Sequence, residues 1–357
     1  MHDITPELMD APSRKKPNYP VTAELRKYLK GYGRLMKIEA EYKDLLRFQS
    51  AYPLYDRRGK DTLWESVHYS PGDQAHLNKA LTGIYAQLKT GGDLSVMEHL
   101  YVERIDYCTF GNSKPFRVRI VNQFNDNFDY FYIKIADASR IYGLELEHIL
   151  SPNRISYFVC NNTLIEEHIA GIPGDAFIKT HLETKGINAT RLAKEFVKFN
   201  ERCFLRLLGD MRAYNYVVDI TPDFEENHYR IRAIDFDQQC YEGKKSLYLP
   251  QFFKENNPIV QLAIQLMTPE TIHQYQAEER TMIAKRIKAG KRMLKDLIDT
   301  MSRDEISTPE KTAQLRMELA AHYNNPAFLK CHNMGELVRT SLREMLKNNK
   351  LQSLKNS

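Results

Sequence analysis

The chain has 357 residues, of which 42% are hydrophobic and 27% charged, the balance expected of a globular protein with room for two domains. Its 51 basic and 46 acidic residues give a net charge of only +5, with both signs intermixed, which argues against a nucleic-acid partner. Five widely spaced cysteines contain no CxxC pair, so they indicate neither a disulfide framework nor a zinc site.

Residues 1–20 carry four prolines, which disfavour a helix and predict an irregular lead-in. This stretch lacks the apolar core of a signal peptide. No run in the chain approaches the roughly 20 apolar residues needed to span a bilayer, so we expect no membrane partner. With its separate cysteines, the chain is predicted to be cytoplasmic.

Residues 1–95 are predicted to form a helical N-terminal extension. From Thr22 to Tyr42, apolar and aromatic residues recur at three- and four-residue spacing, which indicates an amphipathic helix. Ser70-Pro71-Gly72-Asp73 begins a second helix with a capping serine and a proline in its first position, and Gly91-Gly92 ends it. The aromatic stripe fits packing on the body of the protein, and binding a protein partner is the alternative.

Residues 96–170 change to β-branched and aromatic segments separated by turn sequences. We predict a meander of three strands, then one helix, then two more strands. The strands are Val102–Thr109, Phe116–Phe124, Asp129–Ile135, Ile155–Cys160 and Thr163–Ile169, and the helix is Ser139–Leu150. This region is therefore expected to be a five-stranded antiparallel sheet with one helix.

Residues 171–357 are predicted to form a second, mainly helical lobe that starts at the hinge-like Gly171-Ile172-Pro173-Gly174. A helix from Thr190 runs directly into Gly209-Asp210. Two strands, Asn215–Ile220 and Tyr229–Ile234, follow, and the rest reads as helices. The expected class is α+β with two lobes.

The order of polar residues around this hairpin has a chemical meaning. Asp210 lies at the end of a helix, Asn215 follows five residues later, and Asp235-Phe236-Asp237 comes after the second strand. In phosphoryl transfer an aspartate orients the attacking hydroxyl, while an asparagine and a second aspartate hold magnesium. We predict Asp210 as the general base and Asn215 and Asp235 as metal ligands. Singly, each could be an ordinary turn or helix-end residue.

Together with these residues, Lys134 in an apolar strand and Glu166-Glu167-His168-Ile169 resemble the protein-kinase-like superfamily over residues 100–240. Small-molecule kinases such as aminoglycoside phosphotransferases and choline kinases are nearest, because Asp235-Phe236-Asp237 replaces Asp-Phe-Gly. The resemblance implies a two-lobed kinase-like fold that uses ATP and Mg²⁺, with the adenine held near Glu167, His168 and Ile169.

The same resemblance implies that Lys134 contacts the nucleotide phosphates and pairs with a glutamate of the next helix. Glu145 is the preferred partner, because it shares a helical face with Ile141 and Ile149, and Glu147 is the alternative. A lysine that reaches water from a strand edge is the non-functional reading.

Two features depart from the family pattern. Leu208 stands where the family usually has a histidine two residues before the aspartate, and Thr109 to Ser113 contains a single glycine in place of a glycine-rich loop. Ser113 and nearby amides could contact phosphate or form a plain hairpin turn. A pseudokinase or scaffold therefore remains the alternative to an enzyme.

The acceptor is expected to be a hydroxyl on a small molecule. No Ala-Pro-Glu follows Asp235, and the segment Gln238 to Pro250 is short, with Ser246 its only candidate phosphosite. The basic run Lys285 to Arg292 is read as a solvated helix face, with an acidic substrate or partner as its alternative.

Overall fold

The computed structural model describes residues 16–56, 58–91, 99–109, 113–184, 186–224 and 227–355, with side chains as far as residue 348. Most of the predicted lead-in, Gly92 and residues 110–112 of the predicted phosphate turn lie outside these ranges. Within them, none of the helices is both long and apolar enough to cross a membrane.

The strands are β1 (Ser50–Tyr55), β2 (Asp61–His68), β3 (Leu100–Cys108), β4 (Phe116–Asn122), β5 (Phe128–Ile135), β6 (Tyr157–Cys160), β7 (Thr163–Glu167), β8 (Ile172–Pro173), β9 (Tyr216–Pro222) and β10 (Asn227–Ala233). The α-helices are α1 (Ala23–Gly31), α2 (Tyr42–Leu45), α3 (Pro71–Thr90), α4 (Ala138–Leu150), α5 (Gly174–Thr180), α6 (Ala189–Arg206), α7 (Asn257–Leu266), α8 (Pro269–Ala289), α9 (Lys291–Met301), α10 (Pro309–Tyr323) and α11 (Met334–Lys355). The α+β class is confirmed.

The chain divides into two compact units, and the sheet unit consists of residues 20–137 and 155–168. Its strands form an antiparallel seven-stranded sheet in the order β1-β2-β3-β4-β5-β7-β6. The predicted strands correspond to β3 to β7, since local alternation and turn residues mark each of them.

One face of this sheet is packed by α3. Because side chains alternate along a strand, Val118 on β4 and Phe131 and Ile133 on β5 point to the same side. They form one buried cluster with Leu81 and Ile84 of α3. The helix begins as predicted, with the Ser70 side chain accepting from the Asp73 amide, and ends at a left-handed Gly91. The opposite face is left for polar and aromatic side chains.

The helical extension predicted for residues 1–95 is wrong for Ser50–Tyr55 and Asp61–His68, because these strands, β1 and β2, pair with each other and extend the sheet. In β2, Trp64 and Ser66 face one side and Val67 the other, an alternation that was missed in a segment rich in charge. The first predicted helix also stops at Gly31 instead of Tyr42, just before Gly33 takes a left-handed φ of 69°.

The helical unit consists of residues 16–19, 138–154 and 169–355 in the described part of the chain. A three-stranded sheet, β10-β9-β8, lies in this unit, together with α6, an 18-residue helix that is largely buried. Ala193 and Val197 of α6 pack against Ala263 of α7. Helix α6 therefore has a fixed position from which it delivers the chain to the loop at Asp210.

Candidate functional site

The loop after α6 is held by backbone contacts with the residues that follow Asp237. Leu207 ends the helix in the left-handed conformation, and the Cys240 amide donates to its carbonyl at 2.8 Å. Leu208 is fully buried and forms a β-bridge with Gln239. This bridge holds the loop at the position where the resembled family has a histidine.

Gly209 lies where two backbone segments approach closely. Its amide donates to the Gln238 carbonyl at 3.3 Å. A Cβ built on Gly209 would lie 3.1 Å from that carbonyl oxygen and 3.4 Å from the Leu247 oxygen. A larger residue here would push the loop away from the segment that follows Asp237.

Asp210 has a φ of 57°, which is uncommon for a residue with a Cβ and marks a constrained loop. Its amide donates to the Leu247 carbonyl at 3.1 Å. Arg212 Nε donates to Asp210 Oδ1 at 2.9 Å, and Asn215 Nδ2 donates to the Asp210 carbonyl at 2.7 Å and lies 3.4 Å from Oδ2. The carboxylate is thus fixed by its own loop.

Burial raises the pKa of Asp210 to about 6, against the opposing effect of Arg212. The negative charges of Asp235 and Glu255 contribute to this rise after burial. Glu255 also accepts from Arg212 at 2.8 Å, so the arginine is shared between two carboxylates. A carboxyl group with a pKa near neutrality can both accept and release a proton at physiological pH, as a general base requires.

The hairpin β9–β10 brings Asn215 and Asp235 to the same end of the small sheet. Tyr216 at the start of β9 pairs with Ala233 at the end of β10, and the Ile234 amide donates to the Asn215 carbonyl at 3.0 Å. The predicted strands fit this register, so the predicted base and both predicted metal ligands come together in one unit.

Arg140 of α4 holds the two aspartates that follow β10, a contact that was not predicted. Its Nη1 donates to Asp235 Oδ1 at 2.9 Å and to Asp237 Oδ1 at 2.5 Å. The arginine is almost fully buried, whereas the Asp235 side chain is 35% exposed. Gly143 lets α4 approach this segment, since a Cβ there would lie 2.9 Å from Phe236 Cβ.

The donor set fits magnesium in chemistry, because Asn215 and Asp235 offer an amide and a carboxylate oxygen. Among the described residues no group of three or more His, Cys, Asp or Glu side chains is arranged to hold a metal. Arg140 supplies the positive charge beside Asp235 in this structure.

Lys134 of the sheet unit is buried and forms an ion pair with Glu166, with 2.6 Å between Nζ and Oε2. On the neighbouring strands β5 and β7, Lys134 lies opposite Leu164, and Tyr132 lies opposite Glu166. Lys134 and Glu166 are therefore diagonal neighbours on the same face of the sheet. Each charge compensates the other inside the protein. The residue types were noticed in the sequence, but their pairing depends on the register of β5 and β7.

The two carboxylates predicted to pair with Lys134 both lie on α4, in the helical unit. Glu145 belongs to α4 in the helical unit, where it is fully buried. Glu147 pairs with the buried Arg206 and accepts from Asn153 Nδ2 at 3.2 Å, so the alternative partner is wrong. Helix periodicity placed both side chains inward but could not show what they would meet.

Two of the three residues predicted to hold adenine have backbone amides that already donate hydrogen bonds. The Glu167 amide donates to the Ser156 carbonyl at 3.0 Å and the His168 amide to the Tyr130 carbonyl at 3.3 Å. The His168 ring bonds to the Tyr132 hydroxyl at 3.1 Å, and burial lowers the pKa of His168. Ile169 begins the next segment of the helical unit, where its side chain is buried. For the amide of Glu167 or His168 to donate to adenine, its present hydrogen bond to a backbone carbonyl would have to open.

The sheet face that carries Lys134 also carries an arginine cluster that sequence reasoning missed. Fully buried Asp106 accepts from Arg104 at 2.6 Å and from Arg117 at 2.7 Å. The Arg117 guanidinium lies 4.4 Å from the Trp64 ring and 5.1 Å from the Tyr130 ring. Alternating arginines in β4 were the available signal.

No family model matches the chain, and no curated protein matches it.

Proposed function

We propose that the protein is an ATP- and Mg²⁺-dependent phosphotransferase that acts on a hydroxyl group. A small molecule is favoured over a protein as the acceptor. The observation that carries the proposal is the loop at Asp210. A constrained aspartate with a pKa near 6 shares one hairpin end with Asn215 and Asp235, the set that phosphoryl transfer uses.

In the proposed reaction the acceptor oxygen attacks the γ-phosphorus of ATP, and the bond from that phosphorus to the β,γ-bridging oxygen breaks. The hydroxyl proton passes to Asp210, and ADP leaves with the electron pair of the broken bond. Arg212 and Asn215 keep the Asp210 carboxylate in place during proton transfer, because they already bond to it at rest.

Asn215 and Asp235 would hold Mg²⁺, which neutralises charge on the phosphates when bound. Lys134 would contact the nucleotide phosphates, and Glu166 keeps the ammonium group charged and oriented inside the sheet unit. In this proposal Glu166 has the supporting role that the family resemblance implied for Glu145.

A small acceptor is favoured by the segment after Asp237. It is short and contains compact 3₁₀ turns at Lys245–Tyr248 and Pro250–Phe252. Tyr248 is fully buried, and its hydroxyl donates to the Glu242 carbonyl at 2.6 Å. Such a packed segment offers no long extended stretch along which a protein substrate could pair.

A scaffold without catalysis is the second candidate, and the contacts of Arg140 favour it. Arg140 neutralises the carboxylates of Asp235 and Asp237, which would otherwise be available to bind a metal cation. In this alternative the aspartates maintain the fold and the protein acts through a partner.

Nucleotide binding separates the two candidates. ATP affinity measured by calorimetry with and without Mg²⁺ is expected to improve at least tenfold with the metal, and Asn215→Ala should remove most of that gain. A panel of hydroxyl metabolites with labelled ATP then identifies the acceptor. An ATP affinity that changes neither on addition of Mg²⁺ nor in the Asn215→Ala variant would favour the scaffold.

A further inference from the structure

A cavity of about 470 Å³ lies in the helical unit, lined by α6, α8, the end of α10 and the segment Leu249–Gln251. This volume is in the range of sites that take small organic ligands. Phe204 and Leu249 supply its apolar wall. The edge of the His322 ring meets Phe204 with 5.0 Å between ring centroids.

Polar groups converge on the cavity, and several have no other protein partner. Arg280 Nε donates to the buried Glu201 at 2.6 Å, and no described residue accepts from its terminal nitrogens. Gln251 and Gln276 line the cavity, and their side-chain amides make no hydrogen bond to any residue in the described ranges. These donors can therefore serve a ligand.

Two cationic side chains, Lys245 and Arg280, lie near His322. Lys245 Nζ lies 3.4 Å from His322 Nδ1. The pKa of His322 is lowered by burial first and then by the charges of Lys245 and Arg280. Two acids lie nearby: Glu201 lines the cavity and pairs with Arg280, and Glu318 accepts from the Lys245 amide at 2.7 Å. An anion beside His322 would be attracted by Lys245 and would favour the protonated form of His322.

We propose that this cavity is a binding site for a small hydrophilic molecule carrying a carboxylate or phosphate group. The anionic group lies among His322, Lys245 and Arg280, and the two glutamine amides bond to the rest of the molecule. The site does not depend on the proposed phosphotransfer, because none of its lining residues belongs to the set around Asp210.

The test is an NMR titration of the histidine side chains in the full chain with inorganic phosphate and, separately, with succinate. At least one anion should raise the pKa of His322 saturably, whereas His228, an exposed histidine on β10, should respond only to ionic strength. The anion that binds more tightly identifies the ligand as a phosphate or a carboxylate.

Matched lysine variants decide whether the site is specific. Lys245→Gln should weaken anion binding about tenfold, the loss of one charge-assisted contact. Lys244→Gln removes the same charge from the neighbouring, exposed residue and should leave the affinity unchanged. An unshifted His322, a parallel shift at His228, or equal affinities in the two variants would mean adventitious ion binding only and would overturn the proposal.

Discussion

Replacing Asp210 by Asn should stabilise the protein above pH 6. The side chain is only 15% exposed, and its pKa rises from 3.8 to about 6, mainly through burial. At 1.36 kcal/mol per unit, ionised Asp210 destabilises the folded state by about 3 kcal/mol. Asn removes this charge and has nearly the shape of the protonated acid. The gain is the expected signature of a carboxylate kept for function.

The pH dependence gives the sign of the effect. Below the unfolded pKa both states of the wild type hold the proton, so Asp210→Asn gains nothing there. Between the two pKa values the folded state keeps a proton that the unfolded chain has lost, and wild-type stability falls as pH rises. The advantage of the variant should be about 1.5 kcal/mol at pH 5 and about 3 kcal/mol at pH 8.

Urea unfolding at both pH values measures this difference. Asp223→Asn is the matched control, since Asp223 is exposed and the backbone amide of Phe224, followed by His228, lowers its pKa. The control should show no stabilisation at either pH. Equal stabilities of the wild type and Asp210→Asn at pH 8, or a gain that is the same at pH 5, would refute the assignment of a buried, destabilised carboxylate.

Three further substitutions test the surroundings by urea unfolding. Lys134→Met should lower the free energy of unfolding by about 3 kcal/mol, because it removes the ion-pair partner of buried Glu166. The double variant Lys134→Met with Glu166→Gln should recover most of this loss. A double variant that recovers nothing would contradict the ion pair. Gly209→Ala should lower the free energy of unfolding by about 1–3 kcal/mol, because the new Cβ contacts the Gln238 carbonyl. Gly83→Ala, in open space on α3, is the control and should raise it by about 0.5–1 kcal/mol. Equal effects of the two substitutions would contradict the close approach at Gly209. Tyr142→Phe should cost about 1–3 kcal/mol because its hydroxyl donates to Asp304 at 2.5 Å, and a neutral effect would count against this buried bond.

Local patterns accounted for much of the fold. The strands β3 to β7 were readable because alternation, β-branched residues and turn sequences all act within a few residues. The helix from Ser70 was equally clear, since its cap and its glycine end are local signals. The hairpin β1–β2 was missed because its alternation is weak, with Pro53 inside β1 and Ser66 on the same side of β2 as Trp64, and its place at the sheet edge is set by tertiary pairing.

The candidate site divides in the same way. The chain order of Asp210, Asn215 and Asp235 predicted a common position, and the register of β9 with β10 provides it. The partner of Lys134 could not be read, because the pairing with Glu166 depends on which strands adjoin. Arg140 lies 95 residues from Asp235, so no local pattern could have announced that contact.

The central claim is tested most directly by the rate of phosphate transfer from labelled ATP in the presence of Mg²⁺. The wild type should transfer phosphate to a hydroxyl acceptor, and Asp210→Ala should lower the rate at least a hundredfold, the typical contribution of a general base. Asp223→Ala should keep the wild-type rate. A wild type that transfers no phosphate to any acceptor, or an Asp210→Ala variant as fast as the wild type, would contradict the account.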